Sequence, residues 1–409
     1  MSDLDDYTQQ ALDHICHLSE RIGARGSCTP AERQAAEYAA EQMRAAGAHK
    51  VRLEPYWGAP STYRPYILAF VAALLGTLLV WLVRERWMMA VAALLSALGA
   101  WGMFAESDLS GSWMRRLLPR AASRNAVGVL SPTGEVRRRA VLCAHLDTHR
   151  TPIFYSSTTW YLLFALLVGG SFVSMALAAL AYALGALFDW SWLRWIGLAA
   201  AALQLFALIL CFQADFTPFT VGANDNASGV GVALAVAHRL AAEPLAHTEV
   251  WLAFTGCEEV GAYGAAAFLD AHATDLGPDA VYVILDQVGF GRVRYLTKDG
   301  LILKRGTHPR ALALARRVAY ELPKLKIHGQ AGLAYTDALV ATKRGLIALT
   351  LNTLPAPPTN DNLHWHRTSD TLSHVDPDAL ADTHAVVWQL LQQLDDVSAE
   401  SNRKQQEQL

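Results

Sequence analysis

Hydrophobic positions fall into two kinds of run along this chain. In the first kind, short, mostly apolar stretches end at or a few residues before acidic or histidine residues: Ala140 to Ala144, Glu249 to Phe254 and Val281 to Leu285. Runs of this length with no internal alternation read as strands buried on both faces. In the second kind, Pro65 to Val83, Trp87 to Ala105, Trp160 to Phe188 and Trp195 to Ala214 contain no charged residue. Each exceeds the roughly 18 apolar residues expected of a spanning helix. Trp81, Trp87, Trp101, Trp160, Trp190, Trp192 and Trp195 lie near their ends, where an interfacial aromatic belt would sit. The expectation is four transmembrane helices in two hairpins, one over 61–120 with its linker and one over 156–214.

Between these segments the punctuation is that of a soluble domain. Thr29-Pro30-Ala31-Glu32 reads as a capping box with proline at the first helical position, opening a helix that runs to Gly47. Val51 to Tyr56 follows as a strand. The strands 125–130 and 136–144 are separated by Ser131-Pro132-Thr133-Gly134, which reads by composition as a hairpin turn. A helix of small residues runs from Val230 to about Leu240, and strands alternate with helices after residue 220. The fold class expected is α/β, a mixed sheet with helices on both faces, interrupted by the two hairpins. Its domain would be discontinuous, built from 1–60, 121–155 and 215–397. Pro355 to Asn362 reads as a loop near the substrate entrance or a plain connector, and 398–409 as a polar tail.

Composition agrees with that division. Of 409 residues, 53% are hydrophobic and 17% charged, an apolar-rich balance for a soluble enzyme. A net charge of −3 gives no sign of nucleic-acid binding. Five cysteines, several inside apolar segments, give no disulfide framework. Cys257 reads as a small buried filler.

The candidate chemistry sits where the short runs end. Glu258 and Glu259 follow the 249–254 strand, where open α/β sheets place their ligands. Read alone, such a pair is also suited to the positive end of the next helix. Partners fit for a divalent metal occur at other strand ends and turns: His145 and Asp147 after 140–144, Asp225 before the 230–240 helix, Asp286 after 281–285, and His364, His366 and Asp370 near the end. Taken singly, Asp225 reads as a helix cap and Asp286 as a turn former.

The order His-x-Asp, Asp-Asn, Glu-Glu, Asp, His-x-x-x-Asp resembles the M28 family of zinc-dependent peptidases. Ile22 to Gly26, Asn125 to Leu130, Thr336-Asp337-Ala338 and Gly345 to Ala348 resemble further segments of that family. The resemblance spans roughly 15–57, 125–150 and 220–395. It implies two zinc ions, one held by His145 and Asp286, the other by Glu259 and His366, with Asp225 bridging. Glu258 would be the general base and Asp147 a carboxylate orienting His145. Asp370 would support the His366 segment, whose spacing to Asp370 favours His366 over His364. The resemblance also implies a cis peptide at Asp225-Asn226. Asp337 is left open between a substrate-side residue and the start of a helix.

The function expected is therefore a membrane-bound dinuclear zinc aminopeptidase acting on a peptide or small aminoacyl substrate. A cyclase-like enzyme with a single zinc and a non-catalytic membrane adaptor are the alternatives. Arg64, Arg115, Arg116, Arg120, Arg124 and Arg150 flank the catalytic side of the spans, against Arg84, Arg86 and Arg194 opposite. By the positive-inside rule the catalytic domain would be cytoplasmic. The acidic start, Met1 to Asp6, does not read as a cleaved secretory signal.

Overall fold

A computed structural model describes residues 5–353 and 364–396; the Pro-rich loop and the polar tail singled out above lie outside the described residues. The helices are α1 (Asp6–Cys16), α2 (Pro30–Ala45), α3 (Tyr63–Val83), α4 (Arg86–Ser107), α5 (Met114–Leu117), α6 (Thr158–Phe188), α7 (Arg194–Asp215), α8 (Ser228–Ala242), α9 (Tyr263–Leu276), α10 (Pro309–Glu321), α11 (Ala338–Lys343) and α12 (Pro377–Asp395). The strands are β1 (His49–Gly58), β2 (Ala121–Leu130), β3 (Arg138–His145), β4 (Thr248–Thr255), β5 (Val281–Leu285), β6 (Arg294–Asp299), β7 (Arg305–Gly306), β8 (His328–Ala331) and β9 (Ile347–Asn352).

All these strands join one mixed sheet in the order β1-β2-β4-β3-β5-β9-β6-β7, with β8 beside β6. The centre, β4-β3-β5-β9, is parallel; β1-β2-β4 on one side and β9-β6-β7 on the other are antiparallel, and β8 runs parallel to β6. Alternation along the central strands divides the core as the pleat requires. Leu142, Leu252 and Val283 face the layer containing α1, α2, α8 and α12, while Val141, Trp251 and Tyr282 face α9 and α11. Helices on both faces explain why these strands read as unbroken apolar runs.

The expected hairpin across 131–134 is not formed. β2 and β3 do not pair with each other; β4 lies between them, antiparallel to β2 and parallel to β3. The turn residues bond instead to the approach to β4, Thr133 N–H and Gly134 N–H donating to the Leu245 and Ala246 carbonyls at 2.9 Å. Turn chemistry reverses a chain without naming its partner, and a strand apolar on both faces claims the central place. The capping box is also half as expected. Glu32 N–H donates to Thr29 Oγ1 at 3.3 Å, but the Glu32 carboxylate accepts from Cys28, Cys257 and Ser123. Glu32 thereby ties α2 to the loop after β4.

The four long apolar helices pack as a bundle in which α3 and α6 each contact both α4 and α7. Tyr63–Val83, Arg86–Ser107, Thr158–Phe188 and Ser191–Asp215 are each long and apolar enough to cross a membrane. Their outer faces expose large apolar residues such as Leu78, Leu94, Leu166 and Ile209. Ion pairs fasten one end of the bundle to the sheet domain. Asp108 accepts from Lys343 and Arg305, while Arg115, buried, bonds Glu106 and the Ser61 and Val260 carbonyls. Arg64 pairs with Asp215 at 3.0 Å, closing the ends of α3 and α7 together.

Candidate metal centre

Parallel pairing sets the site. His145 is opposite Thr255 in the β3–β4 ladder and Cys143 opposite Ile284 in β3–β5, so three strands end at one edge of the sheet. His145, the Glu258-Glu259 loop and Asp286 emerge there, as ligand sites do on open α/β sheets. Asp225 arrives from the turn before α8. Gly222 in that turn has φ +57°, and a Cβ there would lie 2.2 Å from the Asp225 carbonyl oxygen, so only glycine fits. The peptide Asp225-Asn226 is cis. Asn226 Nδ2 donates to the Leu285 carbonyl at 2.8 Å and its Oδ1 accepts from Gln287 N–H at 3.1 Å, locking the Asp225 and Asp286 segments together.

The sequence candidates converge. Asp225 Oδ1 lies 3.2 Å from His145 Nε2, and its Oδ2 lies 3.2 Å from His366 Nε2. Asp286 Oδ1 is 3.7 Å from His145 Nε2, and Glu259 Oε2 is 3.3 Å from His366 Nε2. His145, Asp225 and Asp286 form one group of ligand atoms within 4.8 Å of one another; His149, Glu259 and His366 form another. Two ligands at tetrahedral zinc, with bonds of about 2.0–2.1 Å, stand about 3.3 Å apart. Glu258 Oε1, Glu259 Oε1 and Asp286 Oδ1 are buried without a hydrogen-bond partner. Buried, unpartnered carboxylate oxygens at ligand spacing are the arrangement a cation would complete. The residues therefore fit a divalent metal.

The electrostatics agree. Burial would lower His145 and His366, but the surrounding carboxylates, Asp225, Asp286 and Glu258 for the first and Glu259 and Asp225 for the second, raise them, His366 to about 9. Burial pushes Glu258 well above the usual carboxylate range, with His145 opposing, and Glu259 to about 7, with His366 opposing. Burial also acts to raise Asp225, yet hydrogen bonds from both histidines bring it below its ordinary value.

Three supporting residues make contacts the sequence did not specify, and Asp337 stands at the start of α11, one of the two readings left open for it. The Asp147 carboxylate does not hydrogen-bond His145: the ring's Nδ1 meets the Asp147 backbone oxygen at 3.0 Å, with Oδ1 at 3.7 Å. The carboxylate instead accepts from Ser27 Oγ at 2.6 Å and from the Glu258 and Glu259 N–H groups at 3.0 and 3.2 Å. A carboxylate holds two backbone amides better than one distant ring nitrogen, so Asp147 fixes the glutamate loop. Asp370 reaches across from the His366 segment and accepts from Asn224 N–H at 2.7 Å and Asp225 N–H at 3.0 Å. Asp337 precedes α11 without capping it; its Oδ2 accepts from Thr255 Oγ1 at 2.6 Å behind the strand ends. His364 is outside the cluster, bonded to Ser369 and stacked on His374.

Two residues of the site were not singled out by sequence reasoning. His149 stacks on His366 with ring centroids 3.7 Å apart; its Nε2 meets Tyr63 Oη at 3.2 Å and its Nδ1 the Arg150 carbonyl at 2.7 Å. Both nitrogens are engaged, and burial and His366 hold its pKa well below the ordinary value, so it is a neutral wall behind His366. The spacing His145-x-Asp147-x-His149 was the available signal. Arg25 is fully buried and donates to five backbone carbonyls, those of Leu18, Gly23, Leu146, Val221 and Gly222. It joins the end of β3 to the turn before Asp225.

Comparisons with known proteins bear on the family and the fold. Residues 207–391 match the family model of peptidase family M28. No curated protein sequence matches the chain. Among solved structures, an aminopeptidase from Aneurinibacillus sp. strain AM-1 is similar at 17% identity and a TM-score of 0.57, covering 95% of this chain and 93% of that one. The zinc aminopeptidase BSAP from Bacillus subtilis is similar at 13% identity and a TM-score of 0.55, with 95% of each chain covered. A glutaminyl cyclase from Bacteroides thetaiotaomicron is similar at 15% identity and 0.55, covering 95% and 98%. The mixed sheet and its helices are thus those of the zinc aminopeptidase fold, and the family match together with these neighbours supports a zinc metallopeptidase.

Proposed function

We propose that this chain is a membrane-bound dinuclear zinc peptidase of the aminopeptidase type. The observation that carries the reading is Asp225, whose two oxygens each lie 3.2 Å from a different histidine, His145 and His366. One ion would be held by His145, Asp286 and Asp225, the other by Glu259, His366 and Asp225. Four buried carboxylates, Asp225, Glu258, Glu259 and Asp286, match in charge two divalent cations. When bound, the ions supply Lewis-acid polarisation of a scissile carbonyl and lower the pKa of a water molecule.

The chain's own part is proton transfer and positioning. Glu258 takes a proton from the attacking water and delivers it to the leaving amine. Asp147 holds the Glu258 backbone, so the base stays aimed while the Glu259 carboxylate remains a ligand. The four apolar helices would span the bilayer, with the arginine-rich end, and the site with it, on the cytoplasmic side.

Metal analysis by plasma mass spectrometry on detergent-purified protein tests the reading. About two zinc ions per chain are expected. Near one would move the assignment to a cyclase-like enzyme, and none after careful purification to a non-catalytic adaptor.

A further inference from the structure

A cavity of about 160 Å³ opens at the carboxylate and histidine cluster and runs into the helical bundle. Its walls come from all four apolar helices. Tyr63, Tyr66 and Phe70 of α3 lie on one helical face, as do Phe164, Leu167 and Ser171 of α6. Met103 of α4 and Leu210 of α7 line it as well. From Tyr63 to Phe70 the wall descends about 10 Å along the helix. Beyond the cluster itself, no Asp, Glu, Lys or Arg lines it among the described residues. Among the described residues there is accordingly no cation for a substrate carboxylate and no separate anion for an amine. A mostly apolar space of this depth beside the candidate metal centre selects a long apolar group, because an unfilled apolar cavity forfeits packing on every wall.

We propose that the substrate is an amphipathic amide carrying one long unbranched apolar chain, which lies between α3, α4, α6 and α7 while its carbonyl sits at the metal cluster. This rests on the hydrolase reading above. Hydrolysis breaks the carbonyl carbon to nitrogen bond and forms a carbon to oxygen bond with water. One proton of that water passes through Glu258 to the amine nitrogen, leaving a carboxylic acid and an amine. The chain stands on the acyl side in an N-acyl amino acid and on the amine side in an aminoacyl alkylamide. Both present the same apolar chain.

The test uses the full-length, zinc-loaded protein in lipid nanodiscs. Three arms are compared: N-acetyl, N-octanoyl and N-dodecanoyl glycine; glycine ethylamide, octylamide and dodecylamide; and leucinamide as a short control. In one of the first two arms kcat/KM is expected to rise about tenfold or more with chain length. The rising arm identifies the side that carries the chain. Ser171→Trp, or the milder Ala207→Leu should the first not fold, is expected to move preference back toward the short members of that arm. Binding of dodecanoate or dodecylamine, measured calorimetrically against acetate and ethylamine, reads the cavity without turnover. Leucinamide hydrolysis with no chain-length preference and no long-chain binding would overturn the proposal and leave the peptidase standing. Long-chain binding that the variants weaken, without hydrolysis of any amide, would support the cavity assignment and count against the hydrolase.

Discussion

The two halves of the candidate metal centre are built differently. His145 and Asp286 stand at the ends of neighbouring central strands, β3 and β5, in the buried middle of the sheet. Glu259 and His366 stand on loops, His366 with a φ of +54°. Their surroundings are aromatic. His366 is stacked on His149, meets Tyr155 edge-on at 4.5 Å between ring centroids, and lies beside Trp365 at 4.6 Å. His149 in turn bonds Tyr63, the first residue of α3. One half is held by sheet hydrogen bonds; the other leans on the segment entering the apolar bundle. The comparison teaches that the inserted helices form part of the wall that orients one set of ligands.

The largest expected effect falls on both halves alike. Glu258→Gln removes the base while leaving every assigned ligand, so turnover should fall about 10²- to 10⁴-fold with metal content unchanged. Single-turnover assays alongside metal analysis check this. Loss of metal together with activity would exchange the roles of Glu258 and Glu259 and redraw the second half. Next comes Arg25→Ala, which acts on the strand-built half and on Asp225. It strips the donor from five carbonyls, three of them buried, with an expected loss of at least about 3 kcal/mol by denaturant unfolding. Near-wild-type stability would mean that sheet pairing alone holds the β3 end.

A smaller and more selective effect is expected from Tyr155→Ala. It takes an aromatic wall from His366 and His149 and leaves His145 and Asp286 untouched. Stepwise zinc titration should show one site weakened about 10- to 100-fold and the other unchanged. Equal weakening of both would erase the distinction between the halves.

How far each half was legible in the sequence follows from the same difference. The positions of the strand-end residues were legible, because an apolar run that stops at His145 or Asp286 is a local pattern, whereas their joint role as candidate ligands came only from the family resemblance. Glu258, Glu259 and Asp225 were legible as residues, yet not the atoms that hold them. That Asp147 grips the glutamate amides, and Asp370 the Asp225 amide, depends on segments brought together only by the sheet. His149 was missed because its role is to stack on a residue more than two hundred positions away. The failed hairpin at 131–134 has the same origin: β4 enters between β2 and β3 from more than a hundred residues downstream. The apolar helices were plain from length and lack of charge, whereas the cavity they share with the site was not, since periodicity says nothing about which faces enclose space.

The smallest effect is a control located away from both halves. His14 on α1 and His384 on α12 are buried, and burial lowers both to about 4 from an ordinary value of 6.5. In each the Nε2 is without a hydrogen-bond partner, and burial outweighs the opposing carboxylates, Asp13 for His14 and Asp5 and Glu243 for His384. A histidine whose folded pKa is depressed stabilises the fold fully above the unfolded pKa. That contribution is lost as pH falls from 6.5 toward 4, because the unfolded chain binds the proton more readily. Each residue should cost on the order of 1 kcal/mol per pH unit across this window. Thermal unfolding at pH 7.5 and 5.5 checks the direction, and His14→Gln should flatten the slope without changing zinc stoichiometry. If the variant keeps the full acid sensitivity, His14 is not among the groups that set it, and nor are His145 and His366, which are raised by their carboxylate neighbours and would act in the opposite direction.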